Sequence, residues 1–237
     1  MAVPSFEKLT LERVTFEVRF KGRLYMDRCG QIWKAIEEKY PDLASAKVLP
    51  EGASFEIPQY SQTLRYSDTL LNISEDYPES LTRFSEVIDF LVPLVTRTLE
   101  LALFERVGAR FVFILSVSSR EEAEAIIMAS GLIRVPEEKV RLFGTELIEP
   151  AAKFVIQDEN IGHILNLAAL NREIIGRVPR PFTLEDKKFA RHILMVDFDR
   201  FTRKAAGVGT LVPSEFVRVS HKNIGNNWAA LLRGSER

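Results

Sequence analysis

The sequence has little cysteine, little histidine and almost no net charge. Its 237 residues include one cysteine and three histidines, with 32 basic and 33 acidic residues. A single cysteine excludes an internal disulfide framework and any metal site built from several thiolates, and it fits a reducing compartment. The formal net charge of −1 gives no bulk attraction to polyanions. Any contact with nucleic acid must therefore come from a local patch.

Long apolar runs are also lacking. Residues 1–20 contain no continuous apolar stretch of the signal-peptide kind, and the most apolar long segment, 84–104, is interrupted by charged residues. We therefore expect a cytoplasmic protein without a membrane span. Because 46% of the residues are apolar, the chain is long and hydrophobic enough to bury a substantial core.

Apolar periodicity predicts the elements of the first half. Apolar residues at every second position from Val14 to Phe20 predict a strand over 14–20 with one wet face. Helical spacing predicts a helix over 28–40, and two extended runs follow at 54–58 and 62–75. A long helix is predicted from Ser80, and Pro93 should kink or split it.

The second half gives a similar order of elements. Its patterns predict a buried strand over 110–117, a helix capped by Ser119, strands over 146–158, 163–174 and 192–201, and a helix over 214–232. This order predicts an α+β fold with a mainly antiparallel sheet and helices packed on one face. Residues 1–237 should form one compact unit. Two similar, intimately packed halves, with subdomains 1–118 and 119–237, are the alternative.

Basic residues are concentrated near the C-terminus. Residues 177–237 contain 12 basic and 6 acidic residues, whereas residues 1–176 contain 20 and 27. This asymmetry predicts an anion-binding region, or else charges that neutralise each other within one fold. The anion-binding candidates are Arg177, Arg180, Lys187, Lys188, Arg200, Arg203 and Lys204.

The strand over 192–201 holds the best candidates for chemistry. Asp197 and Asp199 should lie on the same face of that strand, roughly 7 Å apart. Two such carboxylates can hold a divalent cation together with substrate phosphates. The alternative is a pair of carboxylates at a strand end with no metal.

Three further polar residues are candidates on weaker grounds. Arg106 and Arg110 flank Gly108, where an arginine can recognise a carboxylate or phosphate, or form a structural ion pair. His221 is predicted to pack on the indole of Trp228 at the border of the core, and a pH-responsive role is the alternative. The sequence carries no glycine-rich phosphate loop and no catalytic spacing that we recognise, so no cofactor is predicted.

Several short segments together resemble a known family. They are the strand 14–20, Tyr40 followed by Pro41, the run 106–111, and the run 196–199 with the terminal helix that carries Ile224 and Trp228. This pattern resembles a sporadically distributed prokaryotic family of uncharacterised proteins. The resemblance implies a prokaryotic cytoplasmic protein and no particular activity, cofactor or partner. At the position of Phe113 the family pattern has asparagine.

The leading hypothesis is a non-enzymatic binding protein. Its partner would be a macromolecule or a small anionic ligand, held by the open face of the sheet or by the region 177–204, and a homo-oligomer is compatible with this reading. A metal-dependent enzyme that acts on a phosphate-containing substrate through Asp197 and Asp199 is the alternative. A structural subunit is a third reading.

The charge asymmetry generates a testable prediction. If the basic region binds a polyanion, the protein should be retained on heparin at low salt. Reversal of Arg180, Lys187 and Lys188 to Glu should then weaken retention and flatten its salt dependence, because fewer counterions are released. Failure of the unmodified protein to bind heparin at low salt would contradict the prediction.

Overall fold

The structure is a computed structural model. It describes residues 4–22, 24–43, 45–49, 52–133, 136–142, 144, 150–171 and 192–233. All structural statements below concern these ranges.

Eleven strands are present in the described ranges. In chain order they are β1 (Thr10–Arg19), β2 (Ser45–Leu49), β3 (Gly52–Ile57), β4 (Gln62–Ser67), β5 (Leu70–Asp76), β6 (Leu103–Phe104), β7 (Arg106–Val117), β8 (Ala151–Gln157), β9 (Ile161–Asn171), β10 (His192–Thr202) and β11 (Ala206–Gly207). Nine of them form one sheet in the order β2-β3-β4-β5-β1-β7-β10-β9-β8, and β6 pairs with β11. Every neighbouring pair in the large sheet is antiparallel.

Helices cover one side of this sheet. They are α1 (Tyr25–Lys39), α2 (Leu81–Thr98), α3 (Arg120–Ala129), the single turn α4 (Glu137–Val140) and α5 (Pro213–Leu232). The structure thus confirms the predicted α+β class, with an antiparallel sheet and helices on one face. Within the described ranges, no helix combines the length and the hydrophobicity needed to cross a membrane.

The order of elements divides the sheet into two similar halves. The first half runs β1, α1, β2 to β5 and α2, and the second runs β7, α3, α4, β8 to β10 and α5. In each half the opening strand lies beside the last long strand, and the two opening strands, β1 and β7, pair with each other at the centre. Two long helices, α2 and α5, pack against each other under that junction.

Strict alternation along the strands creates the core. On β1, Val14, Phe16 and Val18 are at most 1% exposed, and they lie opposite Phe111, Ala109 and Val107 of β7. Residues between them point to the other side of the sheet, because successive strand side chains alternate between faces. The apolar helix stripes complete the core, with Ile32 and Ile36 from α1 and Phe84 and Leu91 from α2 all buried.

The structure differs from the sequence prediction in three places. The extended run 62–75 is a hairpin of β4 and β5, whose residues Tyr66 and Leu71 pair across the turn. The edge strand β2 was not predicted, since five residues with a central lysine carry little period-two signal. Helix α2 is not split at Pro93, because its apolar stripe holds both sides of the proline against the core.

Trp228 anchors the last helix. Its side chain is 1% exposed, its indole lies 6.3 Å from the Phe6 ring, and its Nε1 donates to the Pro4 carbonyl at 2.7 Å. The indole therefore ties α5 to the N-terminal segment of the chain.

Trp228→Ala should consequently be strongly destabilising. Truncation of a large buried aromatic residue lowers the free energy of unfolding by about 3–5 kcal/mol, because transfer energy is lost and a cavity remains. Thermal melts followed by circular dichroism measure the effect. Val219→Ala, at a position of the same helix that is 40% exposed, is the matched control and should change little. An unchanged melting temperature for Trp228→Ala would show that the helix end does not contribute to the core.

Candidate functional site

The side of the sheet turned away from the helices, the outer face, collects most of the polar residues singled out in the sequence. Strand register places Arg13, Thr15, Glu17 and Arg19 of β1 on this face. It places Arg106 and Arg110 of β7 beside them, and Asp197 and Asp199 of β10 one strand further. The four central strands of the sheet, β5, β1, β7 and β10, therefore present one continuous band of charged side chains.

These charges are paired across the strands. Arg110 binds Asp197 through two hydrogen bonds of 2.7 Å each, from Nε and Nη2. Arg13 binds Asp76 of β5 through the same two nitrogens, the second at 3.2 Å. We call this band the charge network; its members are Arg13, Glu17, Arg19, Asp76, Arg106, Arg110, Asp197 and Asp199.

Arg106 joins the two sides of the network. Its Nη1 donates to Glu17 at 2.8 Å and its Nη2 donates to Asp199 at 3.1 Å. Glu17 also accepts from Arg19 at 2.8 Å. The guanidinium of Arg106 lies 4.6 Å from the centre of the Phe201 ring, so this arginine has both ionic and aromatic contacts.

A glycine makes room for that aromatic ring. Gly162 lies opposite Phe201 on β9, and a Cβ at position 162 would approach the ring to 2.4 Å. The ring can therefore lie flat across β9 only because position 162 has no side chain. Gly108, opposite Phe201 on β7, is likewise close to the Arg106 guanidinium, at 3.5 Å from an added Cβ.

Burial and pairing act in opposite directions on the carboxylates. Burial raises the pKa of Asp199, and the nearby Arg106 and Arg110 only partly oppose that shift. The hydrogen bond from Arg110 to Asp197 raises the pKa of the arginine, with burial acting the other way. Side chains of Asp197 and Asp199 are only 15% and 18% exposed, so neither carboxylate is simply solvated.

The two sides of the network differ in chemistry. Toward β3 the outer face carries small hydroxyl and amide side chains together with the exposed charges of Glu56 and Arg65. The small polar residues are Thr15, Ser54, Thr63, Ser67, Asn72 and Ser74. Toward β8 it carries partly exposed apolar side chains together with Asn166 and the exposed Lys153. The apolar residues are Val112, Val155, Ile164, Ala168, Met195 and Phe201. Ile114 and Ile193 lie on the same face, near the end of β7 and the start of β10. They are only 6% and 1% exposed, so solvent does not reach that part of the outer face.

The structure answers part of the metal hypothesis. Asp197 and Asp199 share one face, as predicted, but each carboxylate is already bound by an arginine. Among the residues that the structure describes, no group of three or more His, Cys, Asp or Glu side chains is placed to hold a metal ion. The enzyme alternative stays a prediction, and the geometry gives it no third ligand within those ranges.

Only three of the anion-binding candidates lie in the part of the chain that the structure describes, and the anion-binding hypothesis stays a prediction. Arg177, Arg180, Lys187 and Lys188 lie outside the described residues. On the remaining stretch, Arg203 donates to the Asp158 carbonyl and Lys204 lies 3.9 Å from Glu159.

Arg200 differs from both, because it points to the helix side of β10. The residue opposite it on β9 is His163. Its Nη1 donates a hydrogen bond to the Ser220 hydroxyl of α5.

The other candidates have structural partners. Arg106 and Arg110 are in ion pairs, which is one of the two alternatives that the sequence left open for these residues.

His221 does not pack on the indole of Trp228 as expected. It lies instead among Phe6, Phe111 and Phe113, at ring distances of 5.6 to 5.8 Å, because the N-terminal turn brings Phe6 between the histidine and the indole. Burial lowers the pKa of His221.

Sequence reasoning missed half of the charge network. Arg13, Glu17, Arg19 and Asp76 pair with residues 2 to 89 positions away in the chain. The alternation from Val14 to Phe20 does place Glu17 and Arg19 on the wet face of β1. Nothing local indicates which strands lie beside β1, so their partners could not be found.

Comparisons with known proteins add little. None of the protein-family models matches the sequence, and no curated protein matches it. Among solved structures, Methanococcus jannaschii TBP is similar over 96% of this chain and 99% of that chain, at 9% sequence identity and a TM-score of 0.34. A likeness at this level supports no conclusion about fold or function.

The paired carboxylates generate a prediction about metals. Addition of Mg²⁺ or Mn²⁺ should leave the melting temperature unchanged relative to NaCl of equal ionic strength, since the carboxylate oxygens already accept from arginines. The double variant Asp197→Asn, Asp199→Asn should be less stable than the wild type, because both carboxylates are largely buried and their loss removes the acceptors of Arg106 and Arg110. A metal-dependent rise of several degrees that disappears in this variant would favour the enzyme alternative.

Proposed function

We propose that this protein is a non-enzymatic binding protein and that the outer face of its sheet receives another protein. The observation that carries the proposal is the charge network, held on the central strands between a hydroxyl-rich side and an apolar side. Interfaces between proteins are enriched in arginine, methionine and aromatic residues around such mixed surfaces. The outer face offers all three types, with Arg106 and Phe201 near one end of β7 and β10 and Met195 toward the other end.

The balance of charge favours a protein partner over nucleic acid. The network contains four arginines and four carboxylates, so it is neutral as a whole. The other charges on this face are Lys47, Glu56, Arg65 and Lys153, which are spread over β2, β3, β4 and β8 and form no cluster of cations. Nucleic-acid affinity depends on cations that are free to neutralise phosphates and release counterions. A partner surface of mixed charge would meet complementary groups along the whole band, and apolar side chains of that partner would lie toward Val155 and Ile164.

The arginines are also fixed before a partner arrives. Arg110 and Arg13 are each held at two nitrogens by a carboxylate, while about half of each side chain, 56% and 55%, stays exposed. An arginine that is already ordered loses less side-chain entropy when it joins an interface. The network therefore prepares the face for binding as well as supplying contacts.

The experiment places a bulky group at the centre of the face. Thr15 lies between Ser74 and Arg110, and Thr15→Arg should obstruct a docked protein without removing any ion pair. Proteins that co-purify with the tagged chain from its native cells are identified, produced in pure form and titrated by calorimetry against the wild type and the variant. We expect at least a tenfold weaker affinity, equivalent to about 1.4 kcal/mol.

A matched control lies on the helix side. Lys34 on α1 is 78% exposed, and Lys34→Glu should change the affinity less than twofold. Equal affinity of the wild type and Thr15→Arg, with both folded in thermal melts, would contradict the proposal. Binding of nucleic acid, and of no protein, to the outer face would contradict it as well.

A further inference from the structure

Strand β8 forms one of the two edges of the large sheet. In the part of the chain that the structure describes, it pairs with β9 and with no other strand. An edge strand presents a row of unpaired backbone N–H and C=O groups, to which a further strand can be added. The opposite edge, β2, is five residues long and has the exposed Lys47 at its centre. Of the two edges, β8 is therefore the better template for a further strand.

Strand β8 lacks the devices that usually shield an edge. It is seven residues long, it contains no proline, and Lys153 is its only charged residue. Val155 and Ile156 are 62% and 59% exposed, and they lie on opposite faces because neighbouring strand side chains alternate. Natural proteins protect edge strands with charge, proline or a covering element. Two exposed β-branched side chains on this edge favour coverage by another strand.

The turn between β8 and β9 shows which backbone groups of β8 point to the open edge. The Asp158 N–H donates to the Ile161 carbonyl at 2.9 Å. Hydrogen-bonded and non-hydrogen-bonded pairs alternate along an antiparallel ladder, so the even-numbered residues of β8 bond to β9 in the observed register. The backbone N–H and C=O groups of Lys153, Val155 and Gln157 therefore point away from β9.

These outward groups match a second copy of the same strand. When two copies of β8 run antiparallel about a two-fold axis at Val155, the two Val155 residues exchange both backbone hydrogen bonds. Lys153 then lies opposite Gln157 on the outer face, and Phe154 lies opposite Ile156 on the inner face. This register sets apolar residues against apolar residues and opposes no like charges. A register centred on Lys153 would instead set two lysines against each other.

The inner face is open at the end of the strand where the second copy would pack. Ala152 is 4% exposed, whereas Ile156 on the same face is 59% exposed. The protein thus covers the start of β8 and leaves its end in solvent. Pairing about Val155 would bring Ile156 of each copy against the half-buried Phe154 of the other. Removal of this apolar surface from water favours association.

We propose that the protein forms a two-fold symmetric homodimer through edge-to-edge pairing of β8. The occupant of the edge is a second copy because the strand is complementary to itself about Val155, and the net charge of −1 gives little repulsion between copies. The two large sheets join into one continuous sheet with the helices of both copies on the same side. This inference goes beyond the proposed function, because the pairing leaves the outer face of each copy open.

Sedimentation velocity of the full chain over a concentration series measures the dimer. We expect a monomer–dimer equilibrium in the wild type. Val155→Lys should weaken dimerisation at least tenfold, because it sets two ammonium groups against each other at the two-fold axis. The matched control is Met26→Lys, which introduces the same charge at a side chain of α1 that is 73% exposed. It should dimerise as the wild type does.

A second variant tests the backbone pairing. The Val155 N–H points to the open edge, so Val155→Pro removes a donor to the second copy and none to β9. We expect dimerisation to weaken at least tenfold, with thermal melts confirming the fold; if the proline variant does not fold, Val155→Lys decides the question. A wild type that stays monomeric at its highest soluble concentration would overturn the proposal. Equal dimerisation of the wild type and Val155→Lys would overturn it too.

Cross-linking tests the register. In a Cys29→Ala background, Val155→Cys should give a covalent dimer with oxidised glutathione, because opposed residues of a hydrogen-bonded pair have Cα atoms about 5.5 Å apart. Gln157→Cys is the control on the same edge, since its two copies would lie roughly 13 Å apart along the strand. Cross-linking through Gln157→Cys and not through Val155→Cys would contradict the register.

Two further outcomes would contradict the choice of partner. Assemblies larger than a dimer would show an open-ended contact rather than a closed two-fold one. A wild type that is monomeric alone and whose β8 edge is occupied only by an extended segment of a different protein would show that the partner is not a second copy. Neither outcome bears on the Thr15→Arg experiment, which measures binding at the outer face, so the two proposals can fail separately.

Discussion

Pairing between β1 and β7 is the constraint on which the rest of the molecule depends. The two strands come from different halves of the chain and meet at the centre of the sheet. Their register sets Val14 against Phe111 on the inner face and Thr15 against Arg110 on the outer face. A slip of one residue would turn every side chain of β1 to the other face. It would bury Arg19 and Glu17 and expose Phe16, so the core and the charge network depend on the same register.

The cross-strand ion pairs of the charge network can form only in that register. Each of its ion pairs across strands requires particular residues to be neighbours, as Arg13 and Asp76 are on β1 and β5. The exposed pair of Arg13 and Asp76 adds little to stability by itself, and cross-strand pairs in general contribute about 0.2–1 kcal/mol relative to alanine. Their value to the fold lies in rejecting wrong alignments, where like charges would be opposed. A face that specifies its own alignment in this way also presents its arginines in fixed positions.

The sequence predicted the elements better than it predicted the site. Alternation from Val14 to Phe20, the apolar run on β7 and the stripe on α5 each mark an element locally, and the structure has all three. Strand order is not encoded locally, because it depends on which buried faces pack together over the whole chain. Arg106 and Asp199 were therefore separate candidates in the sequence, and only the order β1-β7-β10 makes them members of one network. The edge strand β2 has no such pattern and could not have been found.

Alternation along β10 explains why two adjacent residues have such different surroundings. Asp199 points to the outer face, where Arg106 binds it, whereas Arg200 points to the inner face and meets Ser220 and Phe216. An acid on the inner face near Arg200 would have neutralised it, but the strand positions opposite it hold Ala109 and His163. The sheet thus separates a neutralised outer surface from an uncompensated inner cation by the thickness of one strand. Because successive residues of a strand point to opposite faces, the ion pairs on the outer face do nothing for the charge of Arg200, whose contacts are set by α5 alone.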